Sequence, residues 1–212
     1  MSKAIVMYLH VHQPYRVRQY SIFDIATNHD YFTAGYGDRT SNERIIHKVA
    51  EKSYIPTNRH LLRLLQDHPE FRLSMSITGT VLEQLERWSP EALQSFKDLV
   101  ETGRVEIVGE TYHHSLAFFY SRKEFEAQVD MHKEKVQELF GQTPTVFRNT
   151  ELAYNNDVAY WADKAGYKGV LAEGWDKVLD WRSPNFVYQP TYTDNIRLLM
   201  KNYQLSDDIA FR

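Results

Sequence analysis

The chain predicts a parallel α/β fold, on three observations. Short apolar, β-rich runs alternate with longer amphipathic stretches; those stretches carry helix start and stop signals; and polar clusters come directly after several of the strand-like runs. In order, the strand-like runs are Ala4–Leu9, Arg72–Ile77, Val105–Val108, Thr145–Phe147 and Gly169–Leu171. Helical stretches at Asn58–Gln66, Pro90–Thr102, Arg122–Phe140 and Asp157–Ala165 separate them. Ser89-Pro90 opens one helix and Gly103 closes it, as a capping serine with proline at the first helical position and glycine past the last one should. The last third changes character: Phe186–Gln189 and Ile196–Lys201 read as strands joined by a Thr-Tyr-Thr-Asp turn with no helix between them. The segment from Gln13 to Ser53 has no clear period and comes directly after the first strand, the pattern of a long binding loop or of a disordered segment.

At 212 residues the chain is long enough for one sizeable core, and a single domain is the default expectation. Its 25 basic and 28 acidic side chains give a formal charge of -3 with no basic stripe to track phosphates, which argues against a nucleic-acid partner. There is no cysteine, which rules out disulfides and thiolate metal sites and fits a reducing, cytoplasmic setting. The apolar run Ala4–Leu9 behind Met1-Ser2-Lys3 is too short for a signal sequence or a membrane span. Aromatic residues make up 14% of the chain, and their faces suit the stacking of sugar rings. Trp161 falls on a helix face and reads as core, whereas Trp175 and Trp181, in the loop from Gly174 to Pro184, read as ligand contacts.

Chemistry concentrates at strand ends. His10-Val11-His12-Gln13-Pro14 lies after the first run, Gly109-Glu110-Thr111-Tyr112-His113-His114 after the third, and Arg148 to Asn156 after the fourth. In barrel-like α/β folds such ends converge on one pocket. Glu151 sits in a strand-to-helix loop, where it is either an acid, base or nucleophile, or a capping or salt-bridged residue with Arg148 as partner. His10 and His12, two apart on extended chain, point the same way, suited to metal binding, to hydrogen-bonding substrate hydroxyls, or to a satisfied core. His113 and His114 point to opposite faces if extended, so at most one faces a pocket. Glu106 lies mid-strand, where a charge is costly unless paired or facing a polar cavity. Asp207 and Asp208 form a second carboxylate pair, alongside the alternative that Ser206 or Asp207 caps a short helix.

Four of these segments, in this order, resemble the motifs of the family 57 glycoside hydrolases, especially the α-amylase-like members. They are His10 to Pro14, Gly103-Arg104-Val105-Glu106-Ile107-Val108-Gly109, Phe147 to Tyr154, and Leu205 to Arg212. The resemblance implies a distorted (β/α)7 barrel over residues 1–212, part of a longer protein whose C-terminal helical region would complete the cleft. It implies action on α-glucans or malto-oligosaccharides with retention of configuration, Glu151 as nucleophile, and one of the terminal aspartates, Asp208 rather than Asp207, as acid/base. His10, His12, Gln13, Glu106 and His113 would then hold sugar hydroxyls, Trp175 or Trp181 would stack, and Asp207 would press on the protonation of Asp208. No cofactor or metal is required. Two alternatives stay open: a metal-dependent deacetylase-like hydrolase with His10, His12, His114 and Asp208 as ligands, and a non-catalytic α-glucan-binding fragment.

Overall fold

A computed structural model describes residues 4–17, 20–27, 29–32 and 41–211. Met1-Ser2-Lys3, residues 33–40 of the irregular segment, and the closing Arg212 lie outside the described residues. The chain divides into two compact units, residues 1–106 with 138–141 and residues 107–137 with 142–212. Among the described residues no helix is long and apolar enough to cross a membrane.

In the first unit, β1 (Tyr8–Val11) pairs in parallel with β2 (Leu73–Ile77), in register from Tyr8 with Ser74 to Val11 with Ile77. The sheet order is completed by β3 (Val105–Ile107), within which the chain passes to the second unit. β1 starts later than the Ala4–Leu9 run predicts, so His10 is a strand residue and not one beyond the strand's end. Leu73, Met75 and Ile77 are buried and so is Ser76, the two-sided burial of a parallel strand flanked by helices. Those helices are α1 (Asn42–Val49), α2 (Ile55–Asp67), α3 (Gly79–Trp88) and α4 (Pro90–Glu101). Ile46, Leu65, Leu82, Leu85, Phe96 and Leu99 contribute its largest buried side chains.

Two of these helices, α1 and α3, lie outside the predicted helical stretches. A π-helical turn, Ala50–Tyr54, joins α1 to α2, and its extra residue per turn breaks the 3.6-residue repeat across the join. The expected irregular stretch to Ser53 therefore contains a capped helix, with Ser41 Oγ accepting from Arg44 N at 3.3 Å. α3 buries most of its circumference, from Gly79 to Leu82 and on to Gln84 and Leu85, and turns Glu86 and Arg87 to solvent.

The second unit holds most of α5 (Arg122–Phe140), then β4 (Val146–Arg148), α6 (Asn156–Lys164), β5 (Gly169–Ala172), the single turn α7 (Asp176–Leu179), β6 (Arg197–Met200) and α8 (Tyr203–Phe211). β4, β5 and β6 form a parallel sheet in that order. On the far side of β4, Gly109 bridges Phe147: Gly109 N donates to Val146 O and Arg148 N to Gly109 O, both at 2.8 Å. The fit is close there: a Cβ would lie 3.2 Å from Pro144 Cβ and 3.3 Å from Tyr167 Oη, tighter than most side-chain contacts. Beneath β4 the fully buried Phe147 meets Phe125 edge to face at 5.8 Å, Trp161 at 4.9 Å and Tyr167 at 5.5 Å, so Trp161 is a core residue as its helix face predicts.

Two expectations fail in this unit. Phe186–Gln189 is no strand; Tyr188 alone makes an antiparallel bridge to Leu198, on the edge of β6 away from its parallel partner β5. The last helix is not capped by Ser206 or Asp207. It begins at Tyr203, with Asn202 Oδ1 accepting from Leu205 N at 2.9 Å, so both aspartates lie inside it.

Gly174 fixes how the chain leaves β5. A Cβ on it would collide with the carbonyl oxygen of Lys201, whose own N–H donates to Ala172 O at 2.9 Å. Because the obstacle is backbone, Gly174→Ala is expected to cost about 1–3 kcal/mol of stability by urea unfolding, the range for an overpacked site. Gly103→Ala, with nothing within 4 Å but φ of +69°, should cost only the left-handed penalty of about 1–2 kcal/mol. An unchanged urea midpoint for Gly174→Ala would refute this account of the turn.

Candidate active site

The site in the second unit is built from two loops at strand ends. Beyond Gly109 the chain turns through Glu110 to Ser115, and beyond β4 it passes Asn149 into one 3₁₀ turn, Thr150–Leu152, before Asn155 caps α6 through its side chain to Val158 N at 2.9 Å. The strand-to-helix position expected of Glu151 is therefore observed. The two loops are tied by Thr111 and Thr150, whose hydroxyls lie 3.0 Å apart. Both reach Ser115: Thr150 Oγ1 donates to its carbonyl at 2.8 Å, and its N–H donates to Thr111 Oγ1 at 2.9 Å.

Through this frame runs a chain of charges. Arg148, the last residue of β4, places Nη1 3.4 Å from Oε2 of the fully buried Glu110. His114 Nδ1 lies 3.7 Å from the same oxygen, and His114 Nε2 lies 2.9 Å from Glu151 Oε1. The Glu151 side chain is 74% exposed while that of His114 is 14% exposed, so the series leads from the interior to solvent. Arg148, the partner expected for Glu151 if that glutamate were merely salt-bridged, instead serves Glu110. His114, Glu151 and Leu152 all adopt left-handed backbone, at φ of +56°, +57° and +56°. Such conformations disfavour non-glycine residues and persist where surrounding contacts impose them.

The charges explain the titration of His114. The Glu110 carboxylate, 3.7 Å from Nδ1, raises its pKa above the ordinary imidazole value; partial burial opposes this, the bond to Glu151 adds to it, and Arg148 works against it. The protonated ring has an N–H for each carboxylate, and the Nε2–H···Oε1 bond is then charge-assisted.

The other predicted residues are distributed over both units. In the first unit, the His10 and His12 rings stack at 6.2 Å with 16° between planes, agreeing with side chains that point the same way. His12 Nδ1 lies 2.8 Å from Thr78 Oγ1 at the start of α3. Gln13 Oε1 accepts from Arg16 Nη2 at 2.8 Å, and its carbonyl accepts from Gln84 Nε2 at 2.7 Å. Glu106 is half-buried in the middle of β3. In the second unit, His113 is exposed, edge to face with Tyr112 at 4.8 Å. Trp175 and Trp181 are 55% and 86% exposed. Asp207 is exposed on α8 and Asp208 half-buried. Among the histidine pair, it is His114 that reaches Glu151. An extended reading cannot choose between the two, because the positive φ at His114 turns the chain out of alternation. Thr111, Thr150 and the buried Glu110 carry no sequence signal beyond standing near the motifs.

Fold and site together define a parallel α/β protein with a conformationally constrained, solvent-facing glutamate on a strand-end turn. The chain belongs to glycosyl hydrolase family 57, whose model matches residues 6–212. It is 44% identical over 203 residues to a Methanocaldococcus jannaschii protein named "Putative alpha-amylase", covering 95% of this chain and 42% of that one. In structure it is similar to the 4-α-glucanotransferase of Thermococcus litoralis, with TM-score 0.71 at 18% identity, over 98% of this chain and 29% of that one. It is also similar to the α-amylase AmyC of Thermotoga maritima, with TM-score 0.67 at 18% identity, over 99% and 47% of the two chains. The chain thus spans less than half the length of each of these proteins.

Because the pKa of His114 is raised in the folded protein, its ion pairs contribute stability that is complete below the unfolded value of about 6.5 and is lost as pH rises through the folded value. Melting temperature should therefore fall more steeply above about pH 6.5 in the wild type than in His114→Gly. Parallel curves for the two would show that the pairs do not stabilise the fold.

Proposed function

We propose that this chain carries the catalytic machinery of a retaining glycosidase acting on α-glucans, with Glu151 as nucleophile and Asp208 as acid/base. The observation that carries the reading is Glu151: a solvent-facing carboxylate on a strand-end turn, held by His114, in a member of a glycoside hydrolase family. In a retaining mechanism one carboxylate attacks the anomeric carbon while a protonated acid donates to the departing oxygen. The same acid, now a base, then activates water or a sugar hydroxyl to release the glycosyl ester. Two carboxyls about 5–5.5 Å apart suit that sequence. Asp208, half-buried on α8 beside the exposed Asp207, is the acid in this reading. His10, His12, Gln13, Glu106 and His113 bind sugar hydroxyls, and the exposed Trp175 and Trp181 offer faces for stacking.

Relatives bearing amylase and glucanotransferase names support an α-glucan donor and leave both water and a second sugar as acceptors. We read residues 1–212 as a (β/α)7-barrel catalytic domain on the family's pattern, in a protein acting without a cofactor. The cysteine-free composition supports a cytoplasmic setting.

In the full chain, Glu151→Gln should lower turnover of α-glucan by on the order of a thousandfold or more while leaving glucan binding largely intact, since the amide keeps the shape but cannot form the ester. Asp208→Asn should be milder on an activated aryl α-glycoside, whose leaving group needs little protonation. Azide separates the roles. Glu151→Gly should yield the β-glycosyl azide by direct attack, and Asp208→Gly the α-azide by attack on the glycosyl-enzyme, the anomers being read by NMR. The reverse pattern exchanges the two residues. Wild-type turnover in both variants would eliminate the reading in favour of metal-dependent hydrolysis through His10, His12, His114 and Asp208, and glucan affinity with no turnover in the wild type would mark a binding module.

A further inference from the structure

A solvent-facing glutamate samples several rotamers unless something holds it, and a reacting group displaced by about 1 Å loses on the order of 100-fold in rate. What holds Glu151 is visible. Its Oε1 lies 2.9 Å from His114 Nε2, and His114 is itself fixed by its left-handed backbone, by Glu110 at 3.7 Å, and by the Thr111–Ser115–Thr150 tie between the two loops. We propose that His114 is a positioning residue for the reaction, its Nε2–H orienting the Glu151 carboxylate for attack while the buried Glu110–Arg148 pair orients His114. This rests on the reading of Glu151 as nucleophile. The arrangement is an instance of a general device, in which an imidazole uses one nitrogen on the functional group and the other on a buried carboxylate that sets its direction.

The left-handed backbone at His114 supplies a clean variant. Glycine adopts φ of +56° without cost, so His114→Gly removes the imidazole while keeping the turn. On the full chain with an aryl α-glycoside, His114→Gly should lower kcat about 100-fold with KM within about threefold, because orientation and not substrate binding is lost. Added imidazole, or the donor amide of His114→Gln, should restore at least about tenfold of kcat, a recovery that a merely structural role would not show. A kcat within about threefold of wild type, a loss confined to KM, or no recovery by either route would overturn the proposal. Should His114→Gly fail to fold, His114→Gln against His114→Leu carries the comparison, and equal kcat in those two would overturn it. The azide product of Glu151→Gly judges the nucleophile separately: a β-azide with an unaffected His114→Gly defeats only the positioning role, whereas no glycosyl azide defeats the reading beneath it.

Discussion

A buried carboxylate sets the terms for this site. Glu110 is wholly removed from solvent, and an ion buried alone carries a penalty of several kcal/mol. Arg148 and His114 meet that charge from two sides, and each is delivered by backbone whose position is already determined. Arg148 ends β4, where its N–H is held by the carbonyl of Gly109, one residue before Glu110. The bridge that aligns these two segments therefore also aligns guanidinium and carboxylate, with a close fit at Gly109. Sheet register and site electrostatics are one constraint here.

From Glu110 outward the restraint passes to residues that would be mobile on their own. His114 and Glu151 both occupy left-handed conformations, each disfavoured by roughly 1–2 kcal/mol for a side chain with a Cβ. The opposing contributions are local. The threonine hydroxyls and Ser115 join the loops, Leu152 N donates to Asn149 O at 3.0 Å, and Glu173 N, just past β5, donates to Leu152 O at 3.2 Å. Below them the aromatic cluster around Phe147 gives β4 a base that does not yield easily, since edge-to-face rings add to the area they bury. Strain at the functional carboxylate is carried by a stiff layer beneath it.

The same division between local and imposed structure decides how much was legible in the sequence. Arg122–Phe140 is a helix of the predicted bounds because nineteen residues without Gly or Pro, rich in Glu, Lys and Gln, leave little to tertiary context. The strand-to-helix place of Glu151 was readable from Phe147 before it and the cap signal of Asn156-Asp157 after it, one residue beyond the observed cap Asn155. The failures are non-local. Tyr188 and Leu198 make only a single antiparallel bridge, while the ladder of β6 runs along β5, a pairing that no short window contains. His113 and His114 are indistinguishable by composition, and only a positive φ, imposed by the Thr111–Thr150 tie, selects the second. The cap of the last helix lies at Asn202, so Asp207 and Asp208 stand within it as carboxylates not spent on capping.

On the proposal that Glu151 is the nucleophile, its exposure bears on the fate of the glycosyl ester that would form after attack. In a retaining reaction that ester lives until an acceptor reaches it, and the competition between water and a sugar hydroxyl is decided by what covers the carboxylate after the donor's leaving portion departs. Within this chain the Glu151 side chain is 74% exposed, so its neighbours hold the carboxylate far more than they shield it. Orientation comes from below, through His114 and Glu110; shielding has to come from above, through the substrate itself or whatever packs over the strand ends. Attack geometry and acceptor choice are thus physically separable in this architecture. On that proposal one strand-end turn, unchanged, would serve hydrolysis or transfer, which accords with relatives of this chain bearing both amylase and glucanotransferase names.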